Sequence, residues 1–187
     1  LTPRALEPAT PLRERVEHVL FAGRLAPEKR VQLVVDAART LPDIQFTIAG
    51  EGPLKNDIQE QSASIPNLSV LGWIPRQQLL DVMDTADILV LPSTVESFGT
   101  VALEAMARQR IALVSRRCGI VDWPNLVEHI WQIDDSESLS DAIRRIAALE
   151  PQERQATAAR ARDAALGLNH NSIVHWVNML KVTEPDF

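Results

Sequence analysis

The sequence predicts an α/β fold in which a doubly wound parallel sheet carries helices on both faces. Short apolar runs alternate with longer segments whose apolar residues recur at helical spacing. Glycine or proline follows most of the apolar runs and marks the point where each strand ends. Strands that are apolar on both sides belong inside a parallel sheet, and the crossovers between them are right-handed. Alternating units of this kind build a doubly wound sheet.

The apolar runs predict strands at residues 18–22, 44–49, 68–71, 88–91, 111–114 and 130–133. Helices are predicted from Pro27 through Ala38, in a polar stretch ending near Ser64, from Pro75 through Met83, from Phe98 or Gly99 to about Arg108, and over 139–149, 151–166 and 172–181. Gly167 is expected to cap one of the last helices. The first 16 residues hold three prolines and no apolar period, so we expect a linker over 1–16, one domain over 17–166 and a C-terminal helix over 167–187.

The composition excludes several classes of protein. Nineteen basic and 25 acidic side chains give the 187-residue chain a net charge of −6, which argues against a nucleic-acid module or a polybasic membrane binder. No run approaches the ~18 apolar residues of a membrane-spanning helix. The single cysteine, Cys118, excludes a disulfide framework and is typical of a reducing cytosol. Because the chain begins with Leu1, we expect a fragment of a longer protein.

The glycines indicate where a ligand would bind. Six of the seven follow a predicted strand closely or begin the helix after one, namely Gly23, Gly50, Gly52, Gly72, Gly99 and Gly119. The carboxyl ends of parallel strands share one edge of the sheet, where open α/β folds bind ligands. Glycine lets backbone amides approach a ligand without a Cβ between them. Turn chemistry explains any one of these glycines, whereas six at one edge favour a site.

Two cations follow the first predicted strand. Arg24 and Lys29 stand beside the start of a helix, where free amides and the helix dipole also attract anions. Arginine offers a planar fork to phosphate oxygens and lysine a mobile point charge, so the pair suits a diphosphate. Taken alone, the segment favours two solvated surface cations, one of them paired with Glu28.

Two glutamates flank the start of another helix. Glu96 and Glu104 are eight positions apart, and the amides near Gly99 and Thr100 lie between them. A carboxylate accepts two hydroxyl hydrogen bonds at once, so two carboxylates around a nest of amides can hold a sugar and a ribose. The spacing by itself also fits a solvated loop residue and a surface helix charge.

Four strings, in this order and spacing, resemble a known family. FAGRLAPEK, IAGEGPL, LGW and ESFGTVALEAMA are similar to the donor-binding domain of family 4 glycosyltransferases, which are retaining enzymes of the GT-B fold. The resemblance is close over about residues 19–123 and looser over the C-terminal helices. It implies a doubly wound, Rossmann-like nucleotide-sugar-binding domain over 17–166, with helices on both faces of its parallel sheet. An N-terminal domain outside this sequence would carry most of the acceptor site.

By this resemblance, Arg24 and Lys29 grip the diphosphate and Glu96 hydrogen-bonds the donor sugar, which makes these three the predicted catalytic residues. Glu104 would hold the ribose hydroxyls. The remaining predicted donor-binding residues are Gly23, Gly50, Gly72, Trp73, Ile74, Ser97, Phe98, Gly99 and Thr100. Within this set, the backbone at 72–74 would lie by the base, and the amides at 98–100 would meet the sugar and the phosphates.

The resemblance also implies partners and a location. The donor is a nucleotide-diphosphate sugar, no other cofactor is expected, and the sequence contains no D-x-D motif, which agrees with a metal-independent reaction. We expect transfer of a hexose-type sugar to a glycan or lipid-linked acceptor in polysaccharide biosynthesis, in the cytoplasm or at the inner face of the cytoplasmic membrane. Any membrane contact would come through the missing N-terminal domain. The fragment alone is expected to bind nucleotide but to transfer little sugar.

The chain also departs from the family, and other functions stay open. The family often has Gly-Gly-Ile-Pro-Glu after the fifth strand, whereas this chain has Cys-Gly-Ile-Val-Asp at 118–122. The difference bears on the part of the site that would bind the sugar, and not on the fold. One alternative is a non-catalytic nucleotide or nucleotide-sugar binding module of the same fold. Another is an NAD(P)-dependent oxidoreductase, which is disfavoured because the only G-x-G follows the second strand and Lys55 replaces the third glycine.

Overall fold

The computed structural model describes residues 1, 3–7 and 10–181, with side chains described as far as Leu168. Its centre is a sheet of six parallel strands in the order β3-β2-β1-β4-β5-β6. The strands are β1 (His18–Ala22), β2 (Gln45–Ala49), β3 (Leu68–Gly72), β4 (Ile88–Leu91), β5 (Ile111–Ser115) and β6 (Trp131–Ile133). The chain reverses its direction of winding between β1 and β4, and that is the point where open α/β sheets bind ligands.

Helices cover both faces of the sheet, so the predicted doubly wound architecture is confirmed. They are α1 (Gln32–Thr40), α2 (Lys55–Ser62), α3 (Arg76–Thr85), α4 (Thr100–Ala107), α5 (Pro124–Val127), α6 (Leu139–Ala147) and α7 (Pro151–Lys181). The apolar faces of α1, α2 and α6 form one core with the sheet, and those of α3, α4 and α5 form a second core on the opposite face. Both cores are needed because the central strands are buried on each side.

The C-terminal helix differs from the prediction. Gly167 does not cap a helix, since α7 runs without interruption from Pro151 to Lys181 and crosses the expected boundary between 166 and 167. Residues 182–187 of the predicted C-terminal segment lie outside the described residues. Within residues 1, 3–7 and 10–181, no helix has both the length and the apolar character needed to cross a membrane, α7 included.

The N-terminal segment, predicted as a linker, packs onto the domain along its described residues. Its buried apolar side chains are Ala5, Leu12 and Val16. Arg108, after α4, donates hydrogen bonds to the carbonyl oxygens of Arg4 and Glu7 at 3.0 and 3.1 Å. Arg110, which is 2% exposed, donates to the carbonyl oxygen of Thr10. Guanidinium donors therefore hold the backbone of the N-terminal segment against the domain.

Candidate functional site

A cleft with a volume of about 580 Å³ opens at the carboxyl edge of the sheet, over the switch point between β1 and β4. Its floor is the ends of these strands, including Phe21, Ala22 and Leu91. Its walls are the loops that follow β1, β2, β3 and β4, together with the first turns of α3 and α4. The volume falls in the range of pockets that hold small molecules.

The loops after β1, β2 and β3 are joined to each other through their backbones. The amide of Gly23 donates to the carbonyl oxygen of Ala49 at 3.0 Å, and the amide of Gly50 donates to that of Gly72 at 2.8 Å. Gly50 has a φ of 153°, and a Cβ at this position would overlap the carbonyl oxygen of Gly23. Glycine is therefore required here by the close approach of two chain segments.

Helix α4 points its N-terminus into the cleft. Gly99 is its N-cap, with a φ of 85°, and the amide of Ala102 donates to the Gly99 carbonyl oxygen at 2.8 Å. The amides ahead of Ala102 are therefore the free donors of the first turn, and the line of peptide dipoles places partial positive charge there. A Cβ on Gly99 would lie 2.6 Å from Sγ of Cys118, so the two residues are closely packed. Burial raises the pKa of the Cys118 thiol to about 11.

Lys29 and Glu96 form an ion pair inside the cleft. Nζ of Lys29 lies 2.5 Å from Oε2 of Glu96, and both side chains are mostly buried, with 17% and 21% of their surface exposed. The amide of Thr94 donates to the carbonyl oxygen of Glu28 at 2.7 Å and holds the two loops together. Arg24 lines the same cleft, is exposed, and has no ion-pair or hydrogen-bond partner for its side chain among the described residues. Arg24 therefore supplies an uncompensated positive charge.

Two further ion pairs line the side of the cleft near α3. Glu104 of α4 is 1% exposed and pairs with Arg76, which begins α3 and is half-exposed. Glu51 pairs with Lys55 at 2.6 Å and accepts a hydrogen bond from the amide of Trp73 at 3.1 Å. The hydrogen bond from Lys55, followed by that from the Trp73 amide, lowers the pKa of Glu51, so this carboxyl stays ionised.

Most of the predicted site residues meet in this cleft. Those that line it are Gly23, Arg24, Lys29, Gly50, Trp73, Ile74, Glu96, Gly99, Thr100 and Glu104. Three others lie just outside its lining. Gly72 lies beneath the Glu51 side chain, Ser97 presents its carbonyl to Gly119, and the Phe98 ring packs edge-on against Trp123 with centroids 5.5 Å apart.

Sequence reasoning missed Glu51 and Arg76 as members of the cleft. Glu51 stands between two glycines, and its side chain turns back to the backbone of the next loop. Arg76 is the first residue of α3, directly after the N-cap Pro75, and nothing in its local sequence indicates that it reaches Glu104. Its partner lies 28 positions away on a different helix, so only the folded arrangement brings the two charges together.

The arrangement can bind an anion together with several hydroxyl groups. Arg24, Lys29 and the first amides of α4 offer donors to phosphate oxygens. Glu96 and Glu104 offer acceptors to hydroxyl groups on either side of those donors. The Trp73 side chain, which is 70% exposed, lines the cleft and offers an apolar surface.

The sequence is similar to a family of known enzymes. The family model for glycosyl transferases group 1 matches residues 4–164. A Mycobacterium tuberculosis protein, GDP-mannose-dependent alpha-(1-6)-phosphatidylinositol dimannoside mannosyltransferase, is 29% identical over 157 residues, which cover 81% of this chain and 40% of that protein. D-inositol 3-phosphate glycosyltransferase from Mycobacteroides abscessus is 40% identical over 106 residues, 51% of this chain and 24% of that protein. The chain thus spans less than half the length of these relatives.

Solved structures show the same fold. The C-terminal domain of a glycosyl transferase group 1 family protein from Francisella tularensis superposes with a TM-score of 0.71 at 20% identity, covering 88% of this chain and 95% of that domain. The catalytic domain of cholesterol-alpha-glucosyltransferase from Helicobacter pylori gives a TM-score of 0.71 at 19% identity, covering 82% of this chain and 99% of that domain. The chain therefore belongs to the glycosyl transferases group 1 family and has the fold of a C-terminal GT-B domain.

Proposed function

We propose that this chain is the donor-binding half of a retaining, metal-independent glycosyltransferase. It binds a nucleotide-diphosphate sugar, and the whole enzyme transfers a hexose-type sugar to a glycan or lipid-linked acceptor. One observation carries the proposal. The cleft at the switch point joins the unpaired Arg24, the Lys29–Glu96 pair and the buried Glu104 around the N-terminus of α4.

In this proposal the diphosphate lies between the two cations and α4. Arg24 has no competing partner in the described structure, so its guanidinium is available to a pair of phosphate oxygens. Lys29 exchanges part of its contact with Glu96 for a phosphate oxygen. The amides of Gly99 and Thr100 complete the cradle, because a helix N-terminus stabilises an anion without a counterion.

The two glutamates hold the hydroxyl-bearing parts of the donor. Glu96 lies beside the phosphate donors and accepts hydroxyl hydrogen bonds from the transferred sugar. Glu104 accepts those of the ribose, and its ion pair with Arg76 must open or shift to admit them. The base then lies against the backbone and ring at Trp73 and Ile74, in the loop after β3.

The chemistry follows from where charge develops. As the bond from the sugar to the diphosphate breaks, negative charge grows on the leaving phosphate, and Arg24, Lys29 and the α4 amides are already aimed at it. Attack by the acceptor from the same face would retain the anomeric configuration. These donors can carry the developing charge without a metal, and we therefore include metal independence in the proposal. The base that receives the acceptor proton would come from the N-terminal domain.

The proposal places this chain in a longer protein. The family relatives are more than twice as long as the region they share with the chain. In our proposal, residues 1–16 connect to an N-terminal acceptor-binding domain, residues 17–166 bind the donor and residues 167–187 pack toward that missing domain. The enzyme acts in the cytoplasm, with any contact to the membrane made by the N-terminal domain.

Calorimetric titration of the 187-residue chain with UDP, GDP and ADP tests the donor site. We expect one nucleotide to bind selectively and its affinity to fall at least tenfold in an Arg24→Ala, Lys29→Ala double variant. A matched Arg39→Ala, Arg144→Ala double variant removes the same charge from exposed helix surfaces and should bind normally. If a folded chain binds none of the three nucleotides, or if the two double variants behave alike, the proposed donor site is wrong.

A transfer assay separates binding from catalysis. With donor and acceptor supplied, the chain alone should transfer little sugar, whereas the full-length protein should transfer it. Efficient transfer by the chain alone would contradict a site divided between two domains. A full-length protein that binds donor but neither transfers nor hydrolyses it would instead be a non-catalytic module.

A further inference from the structure

Arg76 compensates the charge of a buried carboxylate in the donor cleft. Glu104 is 1% exposed, and within the described part of the chain only Nη2 of Arg76 forms an ion pair with it. The paired oxygen, Oε1 of Glu104, is itself buried and accepts no other hydrogen bond from the described residues. A buried carboxylate is costly unless a cation or several hydrogen-bond donors surround it. Whatever moves Arg76 away must therefore supply Glu104 with new partners.

Arg76 itself is far less buried than its partner. Half of its side chain is exposed, and it begins α3 at the edge of the cleft. It also lines a separate crevice of about 440 Å³ between α3 and the N-terminal segment. No other residue lines both the cleft and the crevice. Because an arginine side chain rotates about several bonds, the guanidinium can turn from one space toward the other.

The crevice contains a carboxylate without a partner. Arg4, in its lining, is already paired with Asp81 of α3. Glu7 is the only acid of the lining, and its exposed carboxylate has no ion-pair or hydrogen-bond partner among the described residues. The guanidinium of Arg76 therefore has two carboxylates as possible partners, Glu104 in the cleft and Glu7 in the crevice.

The backbone of Glu7 is fixed, so its side chain starts from a defined place. Its amide donates to the carbonyl oxygen of Arg4 at 3.2 Å. Its own carbonyl oxygen accepts hydrogen bonds from Arg108 at 3.1 Å and from Arg162 at 3.0 Å. An ion pair between Arg76 and Glu7 would therefore add a contact between α3 and a part of the N-terminal segment that is already held in position.

We propose that donor binding moves the Arg76 guanidinium from Glu104 to Glu7, an inference that rests on the donor-binding function proposed above. The ribose hydroxyls replace the cation as partners of the buried carboxylate, which can accept several hydrogen bonds. The displaced guanidinium then pairs with Glu7. Occupation of the cleft thereby strengthens the contact between α3 and the N-terminal segment, which in our proposal leads to the acceptor-binding domain.

Calorimetric titration of a Glu7→Gln variant with UDP, GDP and ADP tests this exchange of partners, because Glu7 lies outside the donor cleft. The nucleotide that the parent prefers should bind about two- to fivefold more weakly, which is the effect of losing an exposed ion pair. Removing a negative charge would by itself strengthen the binding of an anion, so a loss of affinity has the diagnostic sign. Glu14→Gln, which removes an exposed charge of the same segment outside the crevice, is the matched control and should bind normally.

Two further measurements separate the exchange from a general effect of charge. Glu7→Lys should weaken nucleotide binding more than Glu7→Gln, because the displaced guanidinium would then meet a cation in the crevice. Pyrophosphate has no ribose and leaves the Arg76–Glu104 pair closed, so neither variant should bind it more weakly than the parent. In an Arg76→Met background, Glu7→Gln should no longer lower the affinity for the nucleotide.

The outcomes distinguish this inference from the proposed function. If the parent binds a nucleotide and Glu7→Gln binds it as tightly, the exchange of partners is wrong while the donor site stands. The exchange is also wrong if Glu7→Gln weakens pyrophosphate binding by the same factor, or if its effect persists in the Arg76→Met background. If the folded parent binds none of the three nucleotides, the donor site and the exchange are both wrong.

Discussion

Nζ of Lys29 lies 2.5 Å from Oε2 of Glu96, although 67 positions separate the two residues in the sequence. The pair joins the loop after β1 to the loop after β4 across the switch point of the sheet. It also means that the cation proposed to hold a phosphate is already compensated by a carboxylate in the absence of ligand. The two residues should therefore respond differently to substitution.

A Glu96→Gln variant should bind the preferred nucleoside diphosphate roughly two- to tenfold more tightly, because Lys29 no longer has a competing carboxylate. The corresponding gain in binding free energy is ~0.4–1.4 kcal/mol. A Lys29→Ala variant should bind the nucleotide more weakly. Calorimetry on both variants measures whether the affinity for the nucleotide rises or falls. Glu60→Gln, on the exposed surface of α2, is the control and should leave the affinity unchanged. If Glu96→Gln and Lys29→Ala lower the affinity for the nucleotide equally, the intact ion pair, rather than Lys29 alone, binds the phosphate.

A Gly99→Ala variant should lower the free energy of unfolding by ~1–3 kcal/mol. The residue has a φ of 85°, which disfavours a side chain, and the new Cβ would press on Sγ of the buried Cys118. Urea denaturation measures the loss. A Gly167→Ala variant, placed in α7 where a Cβ meets nothing within 4 Å, should instead stabilise the chain slightly. Gly99→Ala that is as stable as the parent would contradict the strain inferred here.

An Arg110→Met variant should lose ~2–4 kcal/mol of folding free energy. Its guanidinium is buried and donates to the carbonyl oxygens of Ala86 at 2.9 Å and Arg108 at 2.9 Å, and these oxygens would lose their partner. Arg39→Met removes an exposed ion pair on α1 and should change stability by no more than ~0.5 kcal/mol. Chemical denaturation measures the free energy of unfolding of both variants. If Arg110→Met loses no more stability than Arg39→Met, the buried hydrogen bonds of Arg110 do not stabilise the fold.

Stability should fall as the pH drops below the ordinary pKa of histidine because of His18. Its ring nitrogens lie 3.0 Å from the Thr85 carbonyl oxygen and 2.8 Å from Oγ1 of Thr47, and burial lowers its pKa below 6.5. The unfolded chain therefore takes up a proton at a higher pH than the folded chain, and the contribution of neutral His18 is present above pH 6.5 and lost below it.

Urea midpoints at pH 7, 6 and 5 measure this effect. Between pH 7 and pH 5, the parent should lose more stability than a His18→Gln variant, since every other titrating group is common to both. A variant whose midpoint falls as steeply as that of the parent would assign the pH dependence to other groups.

The fold could be predicted because its signals are local. Each of the six strands was placed within one residue of its observed bounds, since short apolar runs ending at glycine or proline have few other structures available. The helix over 151–181 was divided in error. Gly167 and the polar residues after it lower helix propensity by only ~1 kcal/mol, which the continuous helix tolerates.

The site could be predicted only in part, because charge pairing depends on the folded chain. The glycines and the residues around Glu96 indicated the edge of the sheet at which the cleft lies, since parallel strands end on one side. The pairing of Arg76 with Glu104 joins two helices, and the sequence around neither residue contains a signal for the other.

The contact of Gly50 with the Gly23 carbonyl also constrains how this protein can diversify. The loops after β1, β2 and β3 are fixed to one another by their backbones, so a mutation cannot move one of them without disturbing the others. The side chains of Glu51 and Trp73 project from this fixed frame. Under the proposed donor-binding function, substitutions at these two positions should change which base the chain prefers, while the residues proposed to bind the phosphates stay unchanged.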